Sequence, residues 1–181
     1  MKKSKKKKKS NTWKIKQHRD QFFKKSKTLG YRSRSAFKLI ELNKKYKFVK
    51  KNTKLLDIGA YPGGWAQVAS KIITTGKILS LDTKKMDKLD VVIADMAANT
   101  TGNKSLDSIR TNQLCAEVIE FSSKILKPNG VLVSKLFMGD DFLEVKELAK
   151  STFKKVEFFK PESSRNESKE TYLHCVTLKT L

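Results

Sequence analysis

Residues 57–65 read Asp57-Ile58-Gly59-Ala60-Tyr61-Pro62-Gly63-Gly64-Trp65. The apolar run Lys54–Ile58 that leads into them predicts a short buried strand, and the residues from Gly63 to Ile73 predict a helix. Glycines between a strand end and a helix start let the backbone approach a ligand, and the first turn of the helix offers unpaired N–H groups. This is a nucleotide-type binding corner. Its glycines fall at 59, 63 and 64 with Pro62 between them, which is not the dinucleotide GxGxxG spacing, so a pyrophosphate is not the expected ligand.

Working outward, the alternation of strand and helix continues on both sides. Ser35–Tyr46 predicts a helix with Phe37, Ile40, Leu39 and Tyr46 facing inward. Lys77–Leu81 and Val91–Ala94 predict strands. Leu106, Ile109, Leu114, Val118, Phe121 and Ile125 predict an amphipathic helix over Ser105–Leu126, closed by the turn Lys127-Pro128-Asn129-Gly130. Val131–Lys135 follows as a buried strand, then a helix over residues 141–151 and two late strands, Lys154–Phe159 and Tyr172–Leu178. Such an order predicts a mostly parallel sheet covered by helices on both faces.

At 181 residues the chain suits one α/β domain. Lys and Arg number 40 against 18 Asp and Glu, a net charge of +22, which implies a polyanionic partner such as nucleic acid. Residues 1–54 alone hold 22 basic and 2 acidic side chains. Residues 1–10 are expected to be a disordered basic tail making sequence-blind RNA contacts. In residues 11–34 basic groups alternate with Trp13, Phe22, Phe23 and Tyr31, a mixture for phosphate contact, base stacking or anchoring on the domain. The rest, 11–181, is the single domain. Cys115 and Cys175 lack a CxxC partner, so neither a disulfide framework nor a metal site is expected. No apolar run is long enough to span a membrane, and the start has no secretory signal pattern; a cytoplasmic monomer is expected. His18 and His174 have no supporting constellation.

Four segments, DIGAYPGGWAQ (57–67), DMAANTTG (95–102), SKLFMG (134–139) and KPESSRNESKETY (160–172), together resemble the FtsJ/RrmJ-type ribose 2′-O-methyltransferases, over roughly residues 15–178 and in the family order. The resemblance implies a Rossmann-like methyltransferase fold, S-adenosylmethionine as methyl donor, and RNA as partner and substrate. The favoured substrate is a uridine of large-subunit ribosomal RNA. The alternatives are tRNA, or a non-catalytic RNA-binding or ribosome-assembly role on the same scaffold. It also implies a catalytic tetrad of Lys38, Asp95, Lys135 and Glu170, with Lys135 as proton acceptor, and a cofactor site of Gly59, Gly63, Trp65, Asp82 and Asp95. A ribose hydroxyl is a very weak acid, so its methylation needs in-line positioning and removal of the proton as the bond forms. Lys135 ends an apolar strand, where a charge is costly unless partnered. Packing of Trp65 in the core, and turn formation or phosphate contact by Ser163, Ser164 and Arg165, are the competing readings of those residues.

The pattern is broken in four places. Tyr61 replaces a small residue, Ala66 a Ser or Thr, and Ala98 a proline. Between Asp82 and Asp95 the family carries a further strand and helix with the acid that recognises the cofactor adenine; here only Thr83–Asp90 links the two strands. Crossing back beneath the sheet needs roughly 20 Å and eight extended residues reach about 26 Å. The sheet is therefore expected to have about six strands, one edge strand and helix deleted, and an adenine pocket open on one side.

Overall fold

A computed structural model describes residues 20–79, 88–139 and 141–179. Its first helix, α1 (Gln21–Thr28), starts because the Asp20 carboxylate accepts from the free N–H groups of Phe22 and Phe23 at 3.0 and 3.2 Å. That helix is absent from the sequence reading, in which the segment was only a basic strip. Phe22 and Tyr31 close on the Phe37 ring at 5.4 and 5.6 Å, so these two aromatics anchor the strip to the domain. The basic tail 1–10 lies outside the described residues.

Helix α2 (Ala36–Tyr46) buries Phe37, Lys38, Leu39 and Leu42. Then follow β1 (Lys54–Ile58), α3 (Gly64–Ile72), β2 (Lys77–Leu79), β3 (Leu89–Ala94), α4 (Lys104–Ile125), β4 (Leu126–Phe137), α5 (Phe142–Thr152), β5 (Phe153–Phe159) and β6 (Glu170–Leu178). The described strands form one six-stranded sheet in the order β2-β1-β3-β4-β6-β5. β1 to β4 are parallel, and β6 runs antiparallel between β4 and β5. Alternate residues of each strand feed two cores. Leu55, Val91, Ile93, Val133 and Tyr172 face α2 and α3; Leu56, Val92, Leu132, Leu173 and Cys175 face α4 and α5.

Two expectations are corrected here. The Lys127–Gly130 turn does not separate helix from strand: Leu126 already pairs with Leu89, and Val131 with Val91, so the turn is a bulge within β4. The first half of α4 buries Ser108, Thr111 and Asn112, whereas Leu106 and Ile109 are exposed. The polar face is turned inward because Asn112 is needed there. Its amide donates to the Phe137 carbonyl at 2.9 Å and its oxygen accepts from the Phe137 N–H at 2.8 Å, replacing the partner strand where β3 has ended. Cys115 and Cys175 are free and buried. Among the described residues no helix is long and apolar enough to cross a membrane.

Candidate active site

In the sheet order β2 lies on one side of β1 and β3 on the other, so the topological switch lies between β1 and β3. Ligands collect beyond the carboxyl ends of the strands at such a point. Asp57 near the end of β1 and Asp95 just after β3 stand there. The connecting backbone is shaped for close approach: Gly59 and Gly63 have φ of +70° and +95°. A Cβ on Gly59 would collide with the Met96 side chain, and one on Gly63 would meet the Arg32 guanidinium.

Lys38, Asp95, Lys135 and Glu170 come together at this edge from α2, the end of β3, β4 and the start of β6. Lys135 Nζ lies 2.8 Å from Asp95 Oδ1, donates to the Asp95 carbonyl at 3.0 Å and sits 3.9 Å from Glu170 Oε2. Lys38 Nζ pairs with Glu170 Oε1 at 2.6 Å. The parity of the strands explains the meeting. Lys135 is opposite Tyr172 and Phe137 opposite Glu170 across the β4–β6 ladder, which puts all four on one face. Both lysines are only 8% exposed, and at such depth each needs the carboxylate it holds.

Three residues have supporting roles that the sequence reading did not give them. Tyr172 Oη donates to Asp95 Oδ1 at 2.5 Å, while its ring lies 5.6 Å from Lys38 Nζ. Its place two residues after Glu170 on a strand is the signal that could have found it. Ser164 donates to Glu170 Oε1 at 2.8 Å. The loop carrying it is tied down by Glu41, which accepts from the Ser163 N–H, and by Arg34, which bridges Asp20 and the Ser163 carbonyl. Ser163 and Ser164 are thus buried loop residues, while Arg165 reaches Asp20 at 3.7 Å. The third is Asp57, which closed the first strand in the sequence without being given a role.

Burial alone would push the Asp95 carboxyl up, but the charges of Lys135 and Lys38, with hydrogen bonds from Lys135 and Tyr172, hold it below its ordinary value. Tyr172 is driven well above the usual phenol range, first by burial and then by Asp95 and Glu170. Asp57 behaves differently. Burial, then repulsion from Asp95, raises its carboxyl to about 7 against a single opposing N–H from Ala66. Its Oδ2 is buried with no hydrogen-bond partner among the described residues.

A cationic ligand fits this arrangement. The orphaned carboxylate, the second acid at Asp95 and the glycine backbone are what a sulfonium carrying an amino acid end requires. Trp65 fits less well as a cofactor wall. Its indole is 2% exposed, donates to the Ser35 carbonyl at 2.9 Å and packs 5.6 Å from Tyr172, so its side chain builds the core beneath the site. Asp82 lies outside the described residues. His174 is buried in a stack on Tyr46, 3.8 Å between ring centres, which leaves it a packing role.

Comparison with known proteins agrees with the geometry. The FtsJ-like methyltransferase profile matches residues 31–89 and 84–178. The chain belongs to the FtsJ-like methyltransferase family. Its curated relatives include the ribosomal RNA large subunit methyltransferase E of Pelagibacter ubique, 40% identical over 94% of this chain and 97% of the relative. That of Rickettsia akari is 38% identical over 94% and 89%. Among solved structures, a ribosomal RNA methyltransferase of Plasmodium falciparum superposes with a TM-score of 0.68 at 28% identity, covering 82% of this chain and 98% of that one. FtsJ-like methyltransferases use S-adenosylmethionine as methyl donor. The alignment to the Pelagibacter protein spans 197 residues, more than this chain contains, and the profile matches in two pieces that meet at residues 84–89. The shortened link after β2 is where this member of the FtsJ-like family departs from its relatives.

Proposed function

We propose that this FtsJ-like methyltransferase moves the methyl group of S-adenosylmethionine to the 2′-hydroxyl of a ribose, that of a uridine in large-subunit ribosomal RNA, acting as a cytoplasmic monomer. The observation that carries the reading is the pair of buried ion pairs, Lys135 with Asp95 and Lys38 with Glu170, set beside the orphaned carboxylate of Asp57. A protein that only binds RNA gains nothing from two lysines buried in this way.

The bound donor would supply an electrophilic methyl group on a cationic sulfur. Gly59, Gly63, Asp57 and Asp95 would hold it, together with Asp82. The chain's own groups perform the remainder. Lys38 and Glu170 fix the ribose hydroxyl, Asp95 orients Lys135, and Lys135 Nζ in its neutral form takes the proton as the oxygen–carbon bond forms and the sulfur–carbon bond breaks. Tyr172 keeps Asp95 in place. Because the link after β2 is short, the adenine end of the donor receives less of the binding energy than its methionine and ribose ends. A lost buried hydrogen bond and its packing correspond to about ten- to a hundredfold in affinity.

The deciding experiment incubates ribosomal particles with isotopically labelled donor and maps the product nucleoside. A labelled 2′-O-methyluridine in large-subunit RNA is the expected result. Particles that bind the protein and acquire no label would point to an assembly role instead.

A further inference from the structure

Beside the catalytic cluster lies a cavity of about 490 Å³, between the start of α4, the tip of β4 and the 167–169 loop. That is the size of a pocket for a small organic group. Its wall includes Phe137, which is half-buried, and Ile109, which is 36% exposed. Met138, next to Phe137, and Leu106, about one helical turn before Ile109, are 48% and 42% exposed. Ser108, also on the wall, is 7% exposed, and its hydroxyl is buried with no hydrogen-bond partner among the described residues. The Oγ lies so close to Gly139 that a Cβ there would come within 2.5 Å of it. Lys104 and Lys169 also lie on the wall, matched by the acids Asp107 and Glu167.

We propose that this cavity is the subsite for the base attached to the reacting ribose; the inference rests on the proposed RNA methylation. Phe137 is two residues beyond Lys135 on one strand face and directly opposite Glu170, so one wall residue of the cavity stands about 7 Å along the strand from the proton acceptor. A base joined to a ribose at Lys135 falls within that reach. The chemistry of the wall suits a base better than a phosphate. Phe137 offers a flat ring and Ile109 an aliphatic surface to its faces, the Ser108 hydroxyl lies at the wall as an unused donor and acceptor, and the two lysines are balanced by Asp107 and Glu167, which disfavours a phosphate inside the cavity. A buried hydroxyl without a partner is otherwise a cost without a return.

Two variants outside the catalytic machinery test it. Ile109→Glu puts a carboxylate at an exposed wall position, and Ser108→Ala removes the unpaired hydroxyl. The expected result is a KM for ribosomal particles raised about tenfold or more by the first and severalfold by the second, with donor affinity unchanged. Large-subunit RNA transcribed with 5-iodouridine should, on irradiation, cross-link to the peptide containing Phe137, and Ile109→Glu should abolish that link. Wild-type KM in both variants, or cross-links that map only elsewhere, overturns the subsite. A wild-type protein that labels no RNA yet forms the Phe137 cross-link shows that the cavity takes a base but sinks the methylation reading, and with it the assignment of that base to a reacting ribose.

Discussion

Tyr172 Oη and Asp95 Oδ1 are joined by a 2.5 Å hydrogen bond in which the tyrosine is the donor. Because burial and the two nearby carboxylates keep that phenol protonated, the donor is present across the working pH range, and Asp95 receives it on the same oxygen that faces Lys135. Tyr172→Phe should therefore loosen Asp95 without removing it. We expect a fall in kcat of about tenfold, a loss of stability of about 1 kcal/mol, and unchanged KM for RNA. Steady-state kinetics with a thermal melt checks this; a variant with wild-type kcat would reduce the bond to packing.

Lys135→Ala should abolish nearly all methyl transfer and leave donor affinity close to wild type. It also strands a buried Asp95, at a cost of about 3–5 kcal/mol. A second variant, Lys135→Met with Asp95→Asn, removes both charges and should recover much of the stability while staying inactive. Melting temperatures and turnover, measured together, separate the two effects; substantial turnover in either variant would remove Lys135 from the role of base.

Asp57 gives a signed dependence on pH. Its carboxyl titrates at about 7 in the folded chain against 3.8 for the ordinary side chain, so between these values the folded state holds an extra proton. Stability should fall as pH rises from about 4 to about 7 and then level off. Affinity for the cationic donor should move the opposite way, rising about tenfold between pH 6 and pH 8 as the carboxylate ionises. Calorimetric titration is the measurement, and Asp57→Asn should flatten both curves.

The basic N-terminal segment makes its own prediction. Deleting residues 1–10, which include seven lysines, should weaken binding at all RNA sequences and reduce the slope of log affinity against log salt, with donor affinity untouched. An unchanged slope would show these lysines to be idle.

The order of elements was legible in the sequence because it rests on local patterns, apolar runs of period two or 3.6; the grouping of Lys38, Asp95, Lys135 and Glu170 came only from the resemblance of four segments to a family, since four residues up to 132 positions apart leave no local signal. What was not legible depends on distant partners. Asn112 replaces a missing strand partner 25 residues away in sequence, which is why the first half of α4 turns a polar face inward and exposes Leu106 and Ile109. Ser164 is polar in a loop of polar residues, and nothing in that loop shows that it reaches Glu170 rather than solvent. Asp20 was one acid among many bases, yet it starts α1 and holds Arg34. Trp65 beside two glycines invited a ligand, whereas the fold spends its ring on the core beneath Tyr172.

The antiparallel β6 has a consequence for biosynthesis. It is the last described strand to be made, yet it lies inside the sheet between β4 and β5, and it brings Glu170 and Tyr172 with it. Until it inserts, the nascent chain has an open groove where the sheet should close, and the lysines at 38 and 135 have lost one carboxylate between them. On the proposed mechanism, a ribosome-bound chain that still lacks β6 is without Glu170 and Tyr172 and is expected not to methylate. Activity is then expected only once the β4–β6 ladder has formed.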